Sequence, residues 1–370
     1  MLMIAGIFML SLFYGCVEVV VVSFIREISY SRNVFLPVTN LCRNRCFYCG
    51  FRKDPGDGAW FMSPEEVLQL ARLGKGAGCT EALITLGEHP EVHPLAREKL
   101  DEFGYRTTVD YLVDLCKQIL EVGLLPHTNA GVLKPHELQR LRQYNASMGL
   151  MLETTAHLPA HSMSPGKEPK LRLATIEAAG KLNIPFTTGL LVGIGEDPND
   201  RLQSLLEIKK LHDRYRHIQE VIIQPFDPKP GTVMWSWQPP DEKTLLTTVA
   251  LARSTLPDVS VQVPPNLLSL NGSVVQPGST EFNMAVSRVI SAGASDFGGI
   301  SSITPDFINV GRPWPSLAQL HAAIESAGCR PRERLPIYPR FINEERFMSS
   351  EVKKLVLELA DEEGYRAEAV

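Results

Sequence analysis

The stretch Asn33-Val-Phe-Leu-Pro-Val-Thr39-Asn-Leu-Cys42-Arg-Asn-Arg-Cys46-Phe-Tyr-Cys49 governs how this chain is read. Its first half is apolar and β-favouring; its second half is a short loop carrying three thiols with three and two residues between them. Such a loop wraps one face of a cubane iron–sulfur cluster and leaves the fourth iron free for a substrate or cofactor. A zinc site is the main competitor, but structural zinc wants four ligands. Cys16, Cys79, Cys116 and Cys329 are scattered singly and form no second pair. Disulfides fit poorly, because seven cysteines is an odd number and 370 residues build their own core. The four scattered cysteines read as buried small hydrophobes.

Composition excludes more than it identifies. With 44% hydrophobic and 21% charged residues, the chain is ordinary for a globular protein. A formal net charge of −5 and the lack of any Lys/Arg run argue against a nucleic-acid partner. Residues 1–25 are almost wholly apolar, with Glu18 their only charge, and are long enough to cross a bilayer as a helix. No positive n-region precedes them, bulky Phe13 and Tyr14 stand before Cys16, and a mid-span glutamate is costly in lipid. A membrane anchor stays open, but a buried N-terminal element or an extension from a wrongly chosen start codon is favoured. An oxygen-sensitive cluster belongs in a reducing compartment, so the expected location is cytoplasmic.

From Asn33 onward, short β-rich runs alternate with longer amphipathic ones. Strands are predicted at residues 34–38, 82–85, 125–129, 149–153, 186–192, 220–224 and 259–263, with a weaker eighth near 295–298. Ser63-Pro-Glu-Glu66 opens one intervening helix with an N-cap, a proline at its first position and acidic residues in its first turn. This rhythm predicts an α/β fold, a (β/α)8 TIM-type barrel, with the doubly wound open sheet as the alternative. The barrel is favoured because the unusual residues cluster after strand C-termini, where barrel enzymes place their chemistry. The division expected is an apolar extension over 1–29, the barrel over 30–330 and a helical tail over 331–370. A terminal helix near 350–362 should pack outside the barrel.

The strand ends carry the remaining chemistry. Gly87-Glu88 allows close backbone approach and offers an anion to an ammonium group. Glu153 could accept bonds from a ribose diol, and Arg172, at a helix start, could fork onto a carboxylate. The glycines of Gly193-Ile194-Gly195 permit a ligand to lie against the backbone, and Ile194 could pack on an adenine face; this is not a Rossmann fingerprint. Together with the cysteine loop these residues describe a pocket for an amino acid joined to a nucleoside. His127 and Asn129 at the third strand, and Gln224, Asn266 and Asp296 ending strands six, seven and eight, are candidate substrate contacts. A satisfied core histidine is an equally good reading of His127. His157 and His161, flanking Pro159, read as loop residues.

That ligand suggests S-adenosylmethionine (SAM), and the chain resembles the radical SAM superfamily, whose CxxxCΦxC signature matches Cys42, Cys46, Tyr48 and Cys49. The resemblance implies a [4Fe–4S] cluster on the three thiolates, with SAM chelating the open iron through its amino and carboxylate groups. It places Tyr48 beside the adenine, Glu88 on the amino group, Glu153 on the ribose and Arg172 on the carboxylate. Longer phrases, among them Thr85-Leu-Gly-Glu-His-Pro-Glu91, Ser164-Pro-Gly-Lys167 and Asp296-Phe-Gly-Gly-Ile-Ser301, are similar to the CofG-type subunit family of 7,8-didemethyl-8-hydroxy-5-deazariboflavin (FO) synthase. Pro225, where that family has asparagine, and Asn309-Val-Gly-Arg-Pro-Trp-Pro depart from its pattern. The implied substrate is the adduct of a tyrosine-derived p-hydroxybenzyl group with 5-amino-6-ribitylaminouracil, closed to FO with loss of ammonia. The implied partners are a companion radical SAM subunit and a reductant such as ferredoxin or flavodoxin. That companion type, and biotin-synthase-like or menaquinone-pathway enzymes, would share cluster, SAM site and barrel.

Overall fold

The computed structural model describes residues 26–270 and 272–367. Eight parallel strands close into a barrel: β1 (Glu27–Thr39), β2 (Glu81–Leu86), β3 (Leu125–Asn129), β4 (Ser147–Gly149), β5 (Phe186–Val192), β6 (Ile218–Pro225), β7 (Ser260–Gln262) and β8 (Asp296–Ile300). Each pairs with its successor, and β8 pairs with β1 to close the ring. The (β/α)8 expectation is met, and the open-sheet alternative falls, because an open sheet leaves its outer strands unpaired on one side.

Local chemistry sets the helices that follow each strand. Ser63 caps Pro64–Gly76 in a full capping box with Glu66, and Val67, Leu68 and Ala71 face the core. Gly74 lies so close to β1 that a Cβ there would meet Val34 at 2.6 Å. Cys79, Cys116 and Cys329 are buried as expected, whereas Cys16 and the whole of 1–25 lie outside the described residues. No helix among the described residues is long and apolar enough to cross a membrane.

Three expectations need correction. The boundary at 29/30 falls inside β1, whose first residues pair with a ninth strand, β9 (Arg330–Glu333), and with β8. The tail is therefore not wholly helical, and it does more than pack outside. Its segment after Arg334 crosses under the barrel, with the Pro336 carbonyl accepting from Ser147 and Gln219 at 2.6 and 2.9 Å. Leu335, Ile337, Phe341, Phe347, Val352 and Val356 then form a second apolar core with Leu125 and Ala146. The fourth strand covers Ser147–Gly149 only. Beyond it, Glu153, whose backbone is left-handed at φ 67°, returns to the sheet through a single bridge to Leu190.

Candidate active site

One cavity of about 390 Å³ runs along the barrel axis. Its walls include Cys42, Cys46, Cys49, Glu88 and Arg172 beyond the strand C-termini, and Glu81, Glu220 and Arg334 at the opposite end. The cysteine loop leaves β1 directly, and its three sulfurs are each met by a donor. The backbone N–H groups of Asn44 and Glu88 donate to Cys42 Sγ at 3.4 and 3.2 Å. Arg52 N–H donates to Cys49 Sγ at 3.5 Å, and the Ser164 hydroxyl donates to Cys46 Sγ at 3.2 Å. Donors aimed at sulfur suit thiolates bound to iron. Burial pushes Cys42 up to about 11 and raises Cys49, with Cys46 beside it adding to the effect. Those two thiols keep their protons until a cationic centre displaces them. Among the described residues, no three His, Cys, Asp or Glu side chains gather closely enough to hold a single metal ion. Three thiols with no fourth protein ligand suit an open cluster better than a structural zinc ion.

Beside the loop lies a buried lattice of ions. Glu88 Oε1 accepts from Arg43 Nε at 2.8 Å, while Oε2 accepts from Val132 N–H at 3.1 Å and lies 3.5 Å from Arg172. Burial pushes the Glu88 carboxyl up, but Arg172 and Arg43 outweigh it and hold it below its ordinary range. Arg172 also reaches Glu153 at 3.7 Å and donates to the carbonyls of Met151 and Gly166 at 2.6 and 2.8 Å. Glu153 accepts from Lys167, and against the effect of burial Lys167 and Arg172 keep it ionised. Three cations thus face two carboxylates, leaving one positive charge for an anionic ligand. The lattice is tight: a Cβ at Gly166 would lie 1.6 Å from Glu88 Oε1, and one at Gly87 would lie 1.9 Å from the Leu41 carbonyl oxygen. Tyr48 lines the cavity and bonds His161 Nε2 through its hydroxyl at 3.0 Å, so His161 is more than a loop residue.

The structure brings Cys42, Cys46, Cys49, Tyr48, Gly87, Glu88, Glu153, Arg172, His127, Asn129 and Gln224 onto one cavity. Gly193 and Ile194 stand behind that wall. Their N–H groups are taken by Glu196 at 2.8 and 2.9 Å, and Ile194 packs with Phe226 and Met234 in an apolar cluster under Tyr48. Asn266 is buried outside the cavity, with its Nδ2 on Asp306 at 2.9 Å and on the Arg312 carbonyl at 3.1 Å. Asp296 begins its strand instead of ending it. It sits at the barrel floor, 2.7 Å from Arg334, far from the chemistry expected of it. Sequence reading passed over Arg43, Ser164, Gly166 and Lys167. Their only signal was position, inside the cysteine loop or the Ser164–Lys167 phrase.

A cluster loop open on one side, set over the C-terminal mouth of a parallel barrel, is the arrangement of the radical SAM superfamily, and that superfamily's model matches residues 36–208. This is a radical SAM enzyme, and its cofactors are a [4Fe–4S] cluster and SAM. The chain is 48% identical over 340 residues to the 7,8-didemethyl-8-hydroxy-5-deazariboflavin synthase of Methanosarcina barkeri (strain Fusaro / DSM 804), covering 91% of this chain and 99% of that one. It is 50% identical over 341 residues to the synthase of the same name from Methanococcoides burtonii, covering 92% and 98%. The chain belongs to the 7,8-didemethyl-8-hydroxy-5-deazariboflavin synthase family. Its fold is also similar to the FeFe-hydrogenase maturase HydG from Carboxydothermus hydrogenoformans (TM-score 0.63, 20% identity, 90% of this chain and 78% of that one). Methylornithine synthase PylB is similar too (TM-score 0.58, 17% identity, 82% and 83%).

Proposed function

We propose that this chain is the CofG-type subunit of FO synthase, closing the p-hydroxybenzyl–ribitylaminouracil adduct to FO with loss of ammonia. The observation that carries this reading is the single axial cavity, which joins the open-cluster loop to a substrate chamber lined by His127, Asn129 and Gln224. The near-complete alignment with relatives bearing the synthase name supports it.

Cys42, Cys46 and Cys49 hold the cluster. When bound, the cluster and SAM supply one-electron sulfonium cleavage and a carbon-centred hydrogen-atom acceptor. The chain's own residues bind and exclude. Arg172, with Lys167 and Arg43, provides the uncompensated positive charge that a methionine carboxylate complements. Glu88 is pinned by Arg43, Arg172 and Val132, and keeps an acceptor direction for the amino group. Glu153 would take the ribose, and Tyr48, held by His161, would stand beside the adenine. Gly193 and Ile194 act from behind, shaping the strand end that supports Tyr48. Leu83, Ile222 and Phe297 line the barrel interior and keep water from the reacting carbon. A companion radical SAM subunit supplies the adduct, and a reductant of the ferredoxin or flavodoxin kind supplies the electron.

The test is an anoxic assay with preformed adduct, SAM and reductant, read by FO fluorescence. Fluorescent product supports the reading. Turnover of tyrosine and the diaminouracil alone, with no FO from the adduct, would assign the chain to the companion step instead.

A further inference from the structure

The floor of the cavity carries polar atoms that the barrel does not need. Arg334 is fully engaged there: it donates to Asp296 at 2.7 and 3.1 Å, to Glu220 at 3.1 Å and to the Leu335 carbonyl at 3.2 Å. Glu220 also accepts from Tyr338 and Thr187 at 2.9 and 3.0 Å. This group is self-contained. Glu81 is different: one oxygen accepts from Ser31 at 2.6 Å, while the other meets no donor among the described residues and its side chain lines the cavity. Asn33 lines the same wall, 1% exposed, and its Oδ1 has no partner. Gln262 points its amide toward Gly298 and makes no side-chain hydrogen bond to the described residues. His127, on the same wall, is by contrast engaged. The single Ser147 hydroxyl proton goes to the Pro336 carbonyl at 2.6 Å, so His127 Nδ1 donates to Ser147, and Nε2 is taken up by the Asn129 amide beside it.

These leftover groups are mostly acceptors, so their ligand must bring donors. Asp296 and Glu220 already have their cation in Arg334, whose field also reaches Glu81, so the floor does not call for a second one. An anion is disfavoured by Glu81, Glu220 and Asp296. Neutral hydroxyl groups satisfy the acceptors without adding charge. We propose that the floor half of the cavity is a subsite for a neutral polyhydroxylated chain, held by Glu81, Gln262 and Asn33. The assignment rests on the FO synthase reading, whose adduct carries a ribityl chain. It sends that chain away from the cluster and leaves the aromatic end of the substrate near the thiols.

The experiment compares binding of two uracils to the anoxic holoenzyme without reductant. One is 5-amino-6-(D-ribitylamino)uracil; the other carries a pentylamino chain in place of ribitylamino. The wild type should bind the ribityl compound at least about tenfold more tightly. Gln262→Met, near in shape but without the amide, should reduce that preference by about threefold to tenfold, and Glu81→Gln by a similar factor. Equal affinity of the wild type for both uracils, or full preference retained in both variants, overturns the subsite. Formation of FO from adduct with no chain preference would sink the subsite alone. Retained preference without any FO would sink the synthase reading and leave the polyol site standing.

Discussion

At the residue scale, the cysteine loop and the ion lattice do separable jobs. Cys46→Ser should abolish cluster assembly and SAM cleavage, because a three-thiol site has no spare ligand. Far-UV circular dichroism should stay at the wild-type level, since the loop lies outside the hydrophobic core. Arg172→Lys tests the lattice. A lysine cannot keep the carbonyls of Met151 and Gly166 while reaching two carboxylates, so SAM affinity should fall about tenfold or more with the cluster absorbance intact. Parallel loss of cluster and SAM binding would mean the arginine shapes the loop instead. The thiol triad was legible in the sequence because its members are neighbours along the chain. Arg43 and Lys167 were not, because each acquires its role from a carboxylate on a distant strand end.

At the element scale, close approach decides which positions tolerate a side chain. Gly74→Ala would force a methyl against Val34, at a cost of about 1–3 kcal/mol that chemical denaturation would read. The strand–helix rhythm was readable, since it depends on local periodicity and on caps such as Ser63. The fourth strand was placed too late. Apolar residues after Gly149 resemble strand continuation, but the strand stops there, and the left-handed Glu153 beyond it is engaged by Lys167, a contact that no local pattern encodes. The same limit explains Asp296, expected at the end of the eighth strand and found at its beginning.

At the scale of the whole molecule, the C-terminal segment is part of the barrel's foundation. Phe341 is buried at 1% exposure in the core beneath the floor, and Phe341→Ala should cost about 3–5 kcal/mol, measured by denaturant midpoint. Acid should weaken the fold as well. Burial drives His127 and His217 down to about 3, so both stay neutral in the folded chain while the unfolded chain takes up protons near 6.5. Stability from this source is complete above pH 6.5 and is lost as the pH falls toward 3, by up to about 1.4 kcal/mol per pH unit for each histidine. His217→Gln, which keeps a donor for the Ile176 carbonyl, should shrink that slope; an unchanged slope would assign the acid sensitivity elsewhere.

The sequence by itself determined the barrel class, the three thiols, the position of Glu88 just beyond a strand and that of Arg172 in the first turn of a helix. Each depends on short-range periodicity or on residues a few positions apart. Only the tertiary structure decided which charges meet, that Ile194 and Asn266 stand outside the cavity, and that the tail seals the floor. Those facts depend on segments as far apart as Asp296 and Arg334, or Ser147 and Pro336, being drawn together. Burial then decides whether such groups must pair with one another or remain open to a ligand.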